Sequence, residues 1–487
     1  MGNASYKAGE FRKALACYTA GIRVPDTGPA PGPMASVRKA LWMNRSRAYA
    51  ALGLWMLAYV DVWLLEAGMG VKFTDAKDLW TLVNYQTELG ELQEARRTCQ
   101  RLAKLVPLPD PDNQQRLQQQ LTRIQKLEDK QRQQQAAQAG MSLKNVSDRM
   151  TAEQKARFAS QSIQGLYSPC ALRLFEHEGK EEEEEDEEAR SAYLKIIDKI
   201  LMPHLETRTT QDSGTGVVAR DDCAMGATIM IDKPLITGSV ADDRCASCSK
   251  LLLVLVTVGC KRECGELYCS TVCRDDAANT YHTWQCDKGI QSRAGEMRRE
   301  VNAQGATMSS RVPLCISRAL GLVARNRNLL ERVPLLQHLS LGKFAQGQVS
   351  VQQGLQQYAQ ILQDLRLDPA WFDYFTYDYA RFALINNAFG MSGSNQDSSS
   401  LGFGMAIYAG ATYFNHSCVP DVEWSLSDTD TNGSVMRLVA LRDCKAGEEL
   451  RISYIDLVTK KTLEKRTEAL LQYGFTCNCA RCTAERV

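Results

Sequence analysis

Apolar residues in the first hundred positions recur at helical rather than strand spacing, as at Leu41, Met43, Ala48 and Leu52. A glycine-anchored pattern repeats there: YKAGEFRKA around Gly9, YAALGLWMLA around Gly53 and QTELGELQEA around Gly90. Each copy has alanine five positions later, at Ala14, Ala58 and Ala95. The small residues let two helices of a unit approach closely, so the pattern predicts paired amphipathic helices ending near Pro107. Gln-rich sequence with sparse leucines follows and suits a solvated helix. Between Glu176 and Glu188 ten of thirteen residues are acidic, which predicts a self-repelling linker that cannot form a core. SAYLKIIDKILMPHL then reads as a helix and GTGVVARDDCAMGATIMIDKPLI as strands. Helical patterns fill 287–390, and strand-like sequence returns at 403–455 (AIYAGATYF, VMRLVAL, EELRISYI). The second half is therefore expected to be a β domain split by two insertions.

The intervals between the three glycines, 44 and 37 residues, lie near the roughly 34-residue tetratricopeptide (TPR) period once the insert PDTGPAPGP is allowed for. Met1 aligns with the middle of the first repeat's leading helix, which suggests that the first repeat is incomplete. Asn3, Asn44 and Lys77 fall at positions that clamp a peptide carboxylate in such repeats, with Thr81 where a basic residue is usual.

Composition narrows the picture. The 487 residues are 44% hydrophobic, enough for two or three domains with cores, and the net charge of +1 gives no sign of a general nucleic-acid binder. No run reaches membrane-spanning length, and the start has no signal-peptide core, so a soluble chain of the nucleus and/or cytoplasm is expected. Seventeen cysteines without an export signal point to metal rather than disulfides. Eleven of them cluster and join His282 to make twelve ligands, the complement of three four-coordinate zinc ions.

Eight of the twelve lie in one block, C-x2-C-x11-C-x3-C-x4-C-x3-C-x8-H-x3-C. Interleaved pairing assigns Cys245, Cys248, Cys269 and Cys273 to one ion, and Cys260, Cys264, His282 and Cys286 to the other. The layout resembles a MYND finger, with a three-residue gap between Cys260 and Cys264 where two is usual. That resemblance implies structural zinc and a protein-binding surface for proline-rich peptides.

A second constellation is C-terminal: YFNHSCVPD at 413–421, AGEELRISYID at 446–456 and YGFTCNCARC at 473–482. Together with the upstream GTG these motifs resemble the SET methyltransferase core and its post-SET loop. A MYND finger inserted between them is the order of the SMYD-type (SET and MYND domain) lysine methyltransferases, and the resemblance covers roughly 205–487. It implies an S-adenosylmethionine-dependent protein-lysine N-methyltransferase acting on a histone tail or a cytosolic protein. Tyr454 would be the hydroxyl beside the reacting methyl group, and Tyr473 and Phe475 would wall the lysine channel. Gly214, Thr215, Gly216, Asn387, Asn415 and His416, together with Tyr454 and Phe475, would hold the cofactor. Cys418, Cys477, Cys479 and Cys482 would hold the third zinc and fasten the tail over the active site.

The expected fold is therefore α+β: TPR-like helices (1–107), a Gln-rich helix and linker (108–175), an acidic linker (176–190), the SET N-terminal part (191–244), the MYND finger (245–286), a helical SET insert (287–395), the SET core (396–456) and the post-SET loop (457–487). Two features depart from the family. Asp421 stands where asparagine is usual after HSCxP, and the TPR-like region precedes the SET domain instead of following it. The alternative is an inactive scaffold that keeps the SET shape and uses its MYND and TPR surfaces for assembly. The TPR surface of either would offer a groove for chaperone tails.

Overall fold

The computed structural model describes residues 1–24, 33–105, 111–139, 203–210, 214–239, 244–252, 256–283, 286, 315–316, 318–319, 321, 351–365, 367–370, 372–391, 404–426, 435–473 and 475–486. The 140–175 part of the expected Gln-rich helix and linker, the acidic linker, the 191–202 part of the helix before the first strand and most of residues 287–350 of the expected 287–395 insert lie outside these residues. The chain divides into two units, residues 1–178 with 349–359 and residues 179–348 with 360–487.

The N-terminal unit is helical: α1 (Gly2–Lys7), α2 (Phe11–Ile22), α3 (Pro33–Ala51), α4 (Trp55–Trp63), α5 (Ala76–Glu88), α6 (Leu92–Leu105) and α7 (Pro111–Ala139). The repeating glycines explain the punctuation. Gly9, Gly53 and Gly90 have φ of 79°, 76° and 77°, a left-handed turn that costs glycine nothing. The residue after each closes the helix with the same bond: Glu10 N to Ser5 O, Leu54 N to Tyr49 O and Glu91 N to Gln86 O, all 2.9 Å. The three downstream alanines are fully buried, so the helix pairs meet there at close range. A buried ion pair locks the second pair, with Arg45 gripping the Asp61 carboxylate at 2.8 and 2.7 Å and lying 4.5 Å over the Trp42 ring. The expected Gln-rich helix is α7, whose Ile124 packs with Val83, Leu92, Ala95 and Cys99.

The second unit is built of short antiparallel ladders. Strand β1 (Leu205–Thr210) pairs with β2 (Gly214–Ala219), which also pairs with β11 (Glu449–Leu450). In a second sheet β10 (Met436–Ala440) lies between β3 (Thr228–Asp232) and β9 (Val422–Leu426). In a third, β8 (Gly404–Tyr408) lies between β4 (Pro234–Ser239) and β7 (Phe389–Met391). Val217, Ile229, Tyr408, Phe414, Leu438 and Ile452 from all three sheets share one core. Strand β7 lies inside the segment expected to be wholly helical: after α10 (Tyr374–Asn387) the chain turns extended at Ala388 and joins the β8 ladder. The Cys-rich block forms a tiny hairpin of β5 (Val258–Gly259) and β6 (Leu267–Tyr268) followed by α8 (Thr271–Ala277). Helix α9 (Val351–Leu365), most of which belongs to the first unit, precedes α10 in the chain, and α11 (Leu463–Leu470) and α12 (Ala480–Ala484) follow the last strand. No helix among the described residues is long and apolar enough to cross a membrane.

Candidate active site and metal centres

The NHSC segment is positioned from below. Asp232, buried at the end of β3, accepts from the main-chain N–H groups of Gly410 and Ala411 at 2.8 and 2.9 Å. Burial pushes its carboxyl above the usual range, against the pull of those N–H groups. They seat a short 3-10 turn (Ala411–Tyr413) that delivers Phe414, Asn415 and His416. The segment then runs parallel to the RISY stretch: Ile452 N donates to Asn415 O and Ser417 N to Ile452 O, both at 2.9 Å. In a parallel ladder of that register, the N–H and C=O of His416 itself face away from Ile452.

Two groups of residues meet here. Asn415 Nδ2 donates to Glu449 Oε1 at 2.7 Å and reaches Thr215 O at 3.4 Å, directly above Gly216. A Cβ at Gly216 would come within 2.5 Å of Glu449 Oε1 and 2.7 Å of Asn415 Nδ2, so the cradle exists only because the residue is glycine. Gly214 turns the chain into β2 with φ of 71°. On the other side of Asn415, Tyr454 N donates to His416 Nδ1 at 3.0 Å, and Tyr454 Oη donates to Phe414 O at 2.8 Å. The rings of Tyr473 and Phe475 stand 5.1 and 6.2 Å from that of Tyr454, and Phe475 lies 5.8 Å from His416. Burial pushes the Tyr454 phenol well above its usual pKa, so it stays protonated.

His416 keeps its side chain inside the protein. Its Nδ1 accepts from Tyr454 N and its Nε2 lies 3.3 Å from Cys418 Sγ, so the imidazole is committed inside the protein. Burial holds its pKa down to about 4, which keeps the ring neutral. Only its outward-facing backbone is left to meet a ligand. Asn387 ends α10 and donates to Ala383 O of its own helix at 2.8 Å. Sequence reading passed over Glu449 and Asp232; the GEEL run carried a signal for the first, while nothing local marked the second.

The thiols converge in three sets whose ligand atoms all lie within 4.8 Å of one another: Cys245, Cys248, Cys269 and Cys273; Cys260, Cys264, His282 and Cys286; Cys418, Cys477, Cys479 and Cys482. A tetrahedral zinc with bonds of about 2.3 Å spaces its sulfurs by roughly 3.8 Å. The observed separations fit: 3.6 Å for Cys248–Cys269 and Cys269–Cys273, 3.7 Å for Cys260–Cys286, and 3.9 and 3.5 Å from Cys418 to Cys477 and Cys482. His282 Nε2 sits 3.2 Å from Cys260 and 3.5 Å from Cys264. The wider Cys260–Cys264 spacing is accommodated by Glu263, whose φ of 55° curls the extra residue into a tight turn. Soft ligands at these distances are suited to zinc.

The SET domain family profile matches residues 214–455, which span the Gly216 cradle, the NHSC segment and Tyr454. Residues 214–455 are a SET domain. Among curated relatives, a SET and MYND domain-containing protein of Dictyostelium discoideum is 40% identical over 102 residues, 20% of this chain and 18% of that one. The protein-lysine N-trimethyltransferase SMYD5 of Gallus gallus is 37% identical over 84 residues, 17% of this chain and 19% of that one. The chain thus spans less than a fifth of the length of these two curated relatives. A crystal structure of the SET domain of LSMT bound to lysine and AdoHcy aligns over 59% of this chain and 57% of that one, at 14% identity and a TM-score of 0.29. Over the 102 residues aligned with the Dictyostelium discoideum protein, the chain is similar to a protein of the SET-and-MYND type.

Proposed function

We propose that this SET-domain protein is a protein-lysine N-methyltransferase that uses S-adenosylmethionine, with histone or cytosolic proteins as substrates in the nucleus and/or cytoplasm. The observation that carries the reading is the enclosure of Tyr454 by Tyr473, Phe475 and His416, one residue away from the Asn415–Gly216 cradle. S-adenosylmethionine, when bound, supplies a methyl group made electrophilic by its sulfonium. Gly214, Thr215, Gly216, Asn387, Asn415 and the His416 backbone would hold it. A lysine side chain has a pKa near 10.4, so roughly three decades of deprotonation separate it from its nucleophilic form at neutral pH. Walls formed by Tyr454, Tyr473 and Phe475 disfavour the ammonium form by excluding water. The Tyr454 hydroxyl, oriented by its bond to Phe414 O, keeps the amine aligned.

Zinc at all three thiol clusters is structural in this reading, two ions in a MYND finger and one in a post-SET loop. The third joins Cys418, two residues after His416, to the tail that carries Tyr473 and Phe475. The N-terminal helix pairs would form a TPR adaptor. They border an open cavity of about 970 Å³ whose lining includes Arg47, Lys77, Arg116 and Arg123 and, among the described residues, no acidic side chain, with Arg123 paired to Glu88 beside it. That lining suits acidic peptide tails such as those of chaperones, while the MYND finger would take proline-rich segments. Lys77 and Thr81 line the cavity, whereas Asn3 and Asn44 bond to each other at 3.1 Å.

The test is labelled-methyl transfer by purified, zinc-loaded protein into cell extracts, with the modified residues located by mass spectrometry. Label on lysine that disappears with Tyr454→Phe is expected. Cofactor binding without any transfer, unaltered by Tyr454→Phe, would replace the enzyme by the inert scaffold.

A further inference from the structure

Arg466 on α11 is fully buried, one of the largest side chains in the protein with no exposure. A guanidinium carries donors only and is costly to bury unless anions compensate it. Its Nη1 donates to Lys461 O at 2.7 Å. Its Nη2 donates to Glu485 Oε2 at 2.7 Å and lies 3.7 Å from Cys482 Sγ. Its Nε has no hydrogen-bond partner. Glu485 is exposed and is shared with Arg481, which binds its other oxygen at 2.9 Å. The remaining partner is the sulfur.

A protonated thiol is a weak acceptor, but a thiolate is a strong one. Four thiolates around one divalent ion leave a net charge of −2 in a cluster whose cysteines are all buried. Among the described residues, Arg466 is the fully buried cation in contact with that cluster. We propose that Arg466 is a positioning residue for the tail zinc centre: its guanidinium donates to the Cys482 thiolate, offsets part of the cluster's negative charge and slows loss of the metal. The proposal rests on the zinc reading above. It extends that reading by making α11, outside the ligand motif, part of the machinery that keeps Tyr473 and Phe475 in place.

Zinc release from the full-length protein to a colorimetric chelator tests it. The phase belonging to the tail site is the one missing in Cys482→Ser. In Arg466→Met, which keeps bulk and removes charge, that phase should run roughly ten- to a hundredfold faster, the usual effect of losing an outer hydrogen bond to a metal ligand. The other two phases should not move, and Arg466→Lys should recover part of the loss. Glu485→Gln breaks the helix-pinning ion pair but leaves the sulfur contact, so its release should match wild type. Should Arg466→Met fold poorly, the cobalt-substituted Arg466→Lys protein gives a second readout, a shifted thiolate-to-cobalt charge-transfer band at the tail site alone. Unchanged release in Arg466→Met, or equal acceleration by Glu485→Gln, overturns the proposal and leaves Arg466 a helix pin. Wild-type protein holding only two zinc ions, with no phase lost in Cys482→Ser, overturns the zinc reading itself.

Discussion

Asn415 Nδ2 and Glu449 Oε1 lie 2.7 Å apart across the face of Gly216, with no room between them for a methyl group. The cradle is thus a three-residue construction from β2, the NHSC segment and β11. Gly216→Ala should push the Asn415 amide or the Glu449 carboxylate out of place. Binding of S-adenosylhomocysteine, followed by calorimetry, should weaken by about tenfold or more, equivalent to about 1.4 kcal/mol. Gly216 is buried on β2, so the thermal transition is the control: affinity should fall by more than any loss of folded protein explains. Undiminished affinity would show that the cofactor binds elsewhere.

Tyr454→Phe removes one hydroxyl and its bond to Phe414 O while keeping the ring. The turnover rate should fall on the order of a hundredfold, with cofactor affinity within about threefold of wild type, since the hydroxyl acts on alignment rather than binding. Equal losses in both would make Tyr454 a packing residue.

The pH profile follows from the raised pKa of the same phenol. A tyrosine pKa raised by burial means that the neutral hydroxyl persists to higher pH than in water. The substrate lysine meanwhile gains nucleophile as pH rises toward about 10.4. Transfer should therefore climb from about pH 7 to about pH 9.5 without a descending limb from Tyr454. A fall in rate near pH 9 in protein that remains folded would contradict the buried phenol.

Cys479→Ser and Cys269→Ser should each lower the zinc content from three ions to two by elemental analysis, but with different consequences. The first releases the tail bearing Tyr473 and Phe475 and should abolish methyl transfer. The second disturbs only the Cys-rich block and should leave transfer to a short peptide within a few-fold of wild type. Loss of transfer in both would tie the finger to catalysis.

In the N-terminal unit, Asp61→Asn leaves the Arg45 guanidinium buried with its charge uncompensated; the two side chains are 4% and 2% exposed. Breaking such a pair costs about 3–5 kcal/mol. Urea unfolding followed by far-ultraviolet circular dichroism should register that loss in the helical transition. A shift below about 1 kcal/mol would mean that the pair contributes no more than a surface one.

Asp421 illustrates what a motif comparison leaves out. Where the family has asparagine, its Oδ1 accepts from Arg442 Nε at 2.8 Å and its Oδ2 from the Arg451 main-chain N–H at 3.1 Å. The carboxylate keeps an acceptor role and gains an ion pair, so the departure is compensated by a residue 21 positions away.

Glycine and cysteine were the most legible residues, because their roles are local. An αL turn needs glycine wherever the chain goes next, and ligands a few residues apart reach one ion once the backbone curls. From the sequence alone came the three helix pairs, the grouping of the ligands and the order of the SET motifs. The folded chain alone decided that Glu449 meets Asn415, that Asp232 seats the turn before it, that His416 turns both nitrogens inward and that Arg466 faces a sulfur. Asn415 and Thr215 lie 200 residues apart, and so distant a pairing leaves no periodicity to read. It is fixed by how three short sheets pack around one core, an outcome of shape and burial summed over the whole domain.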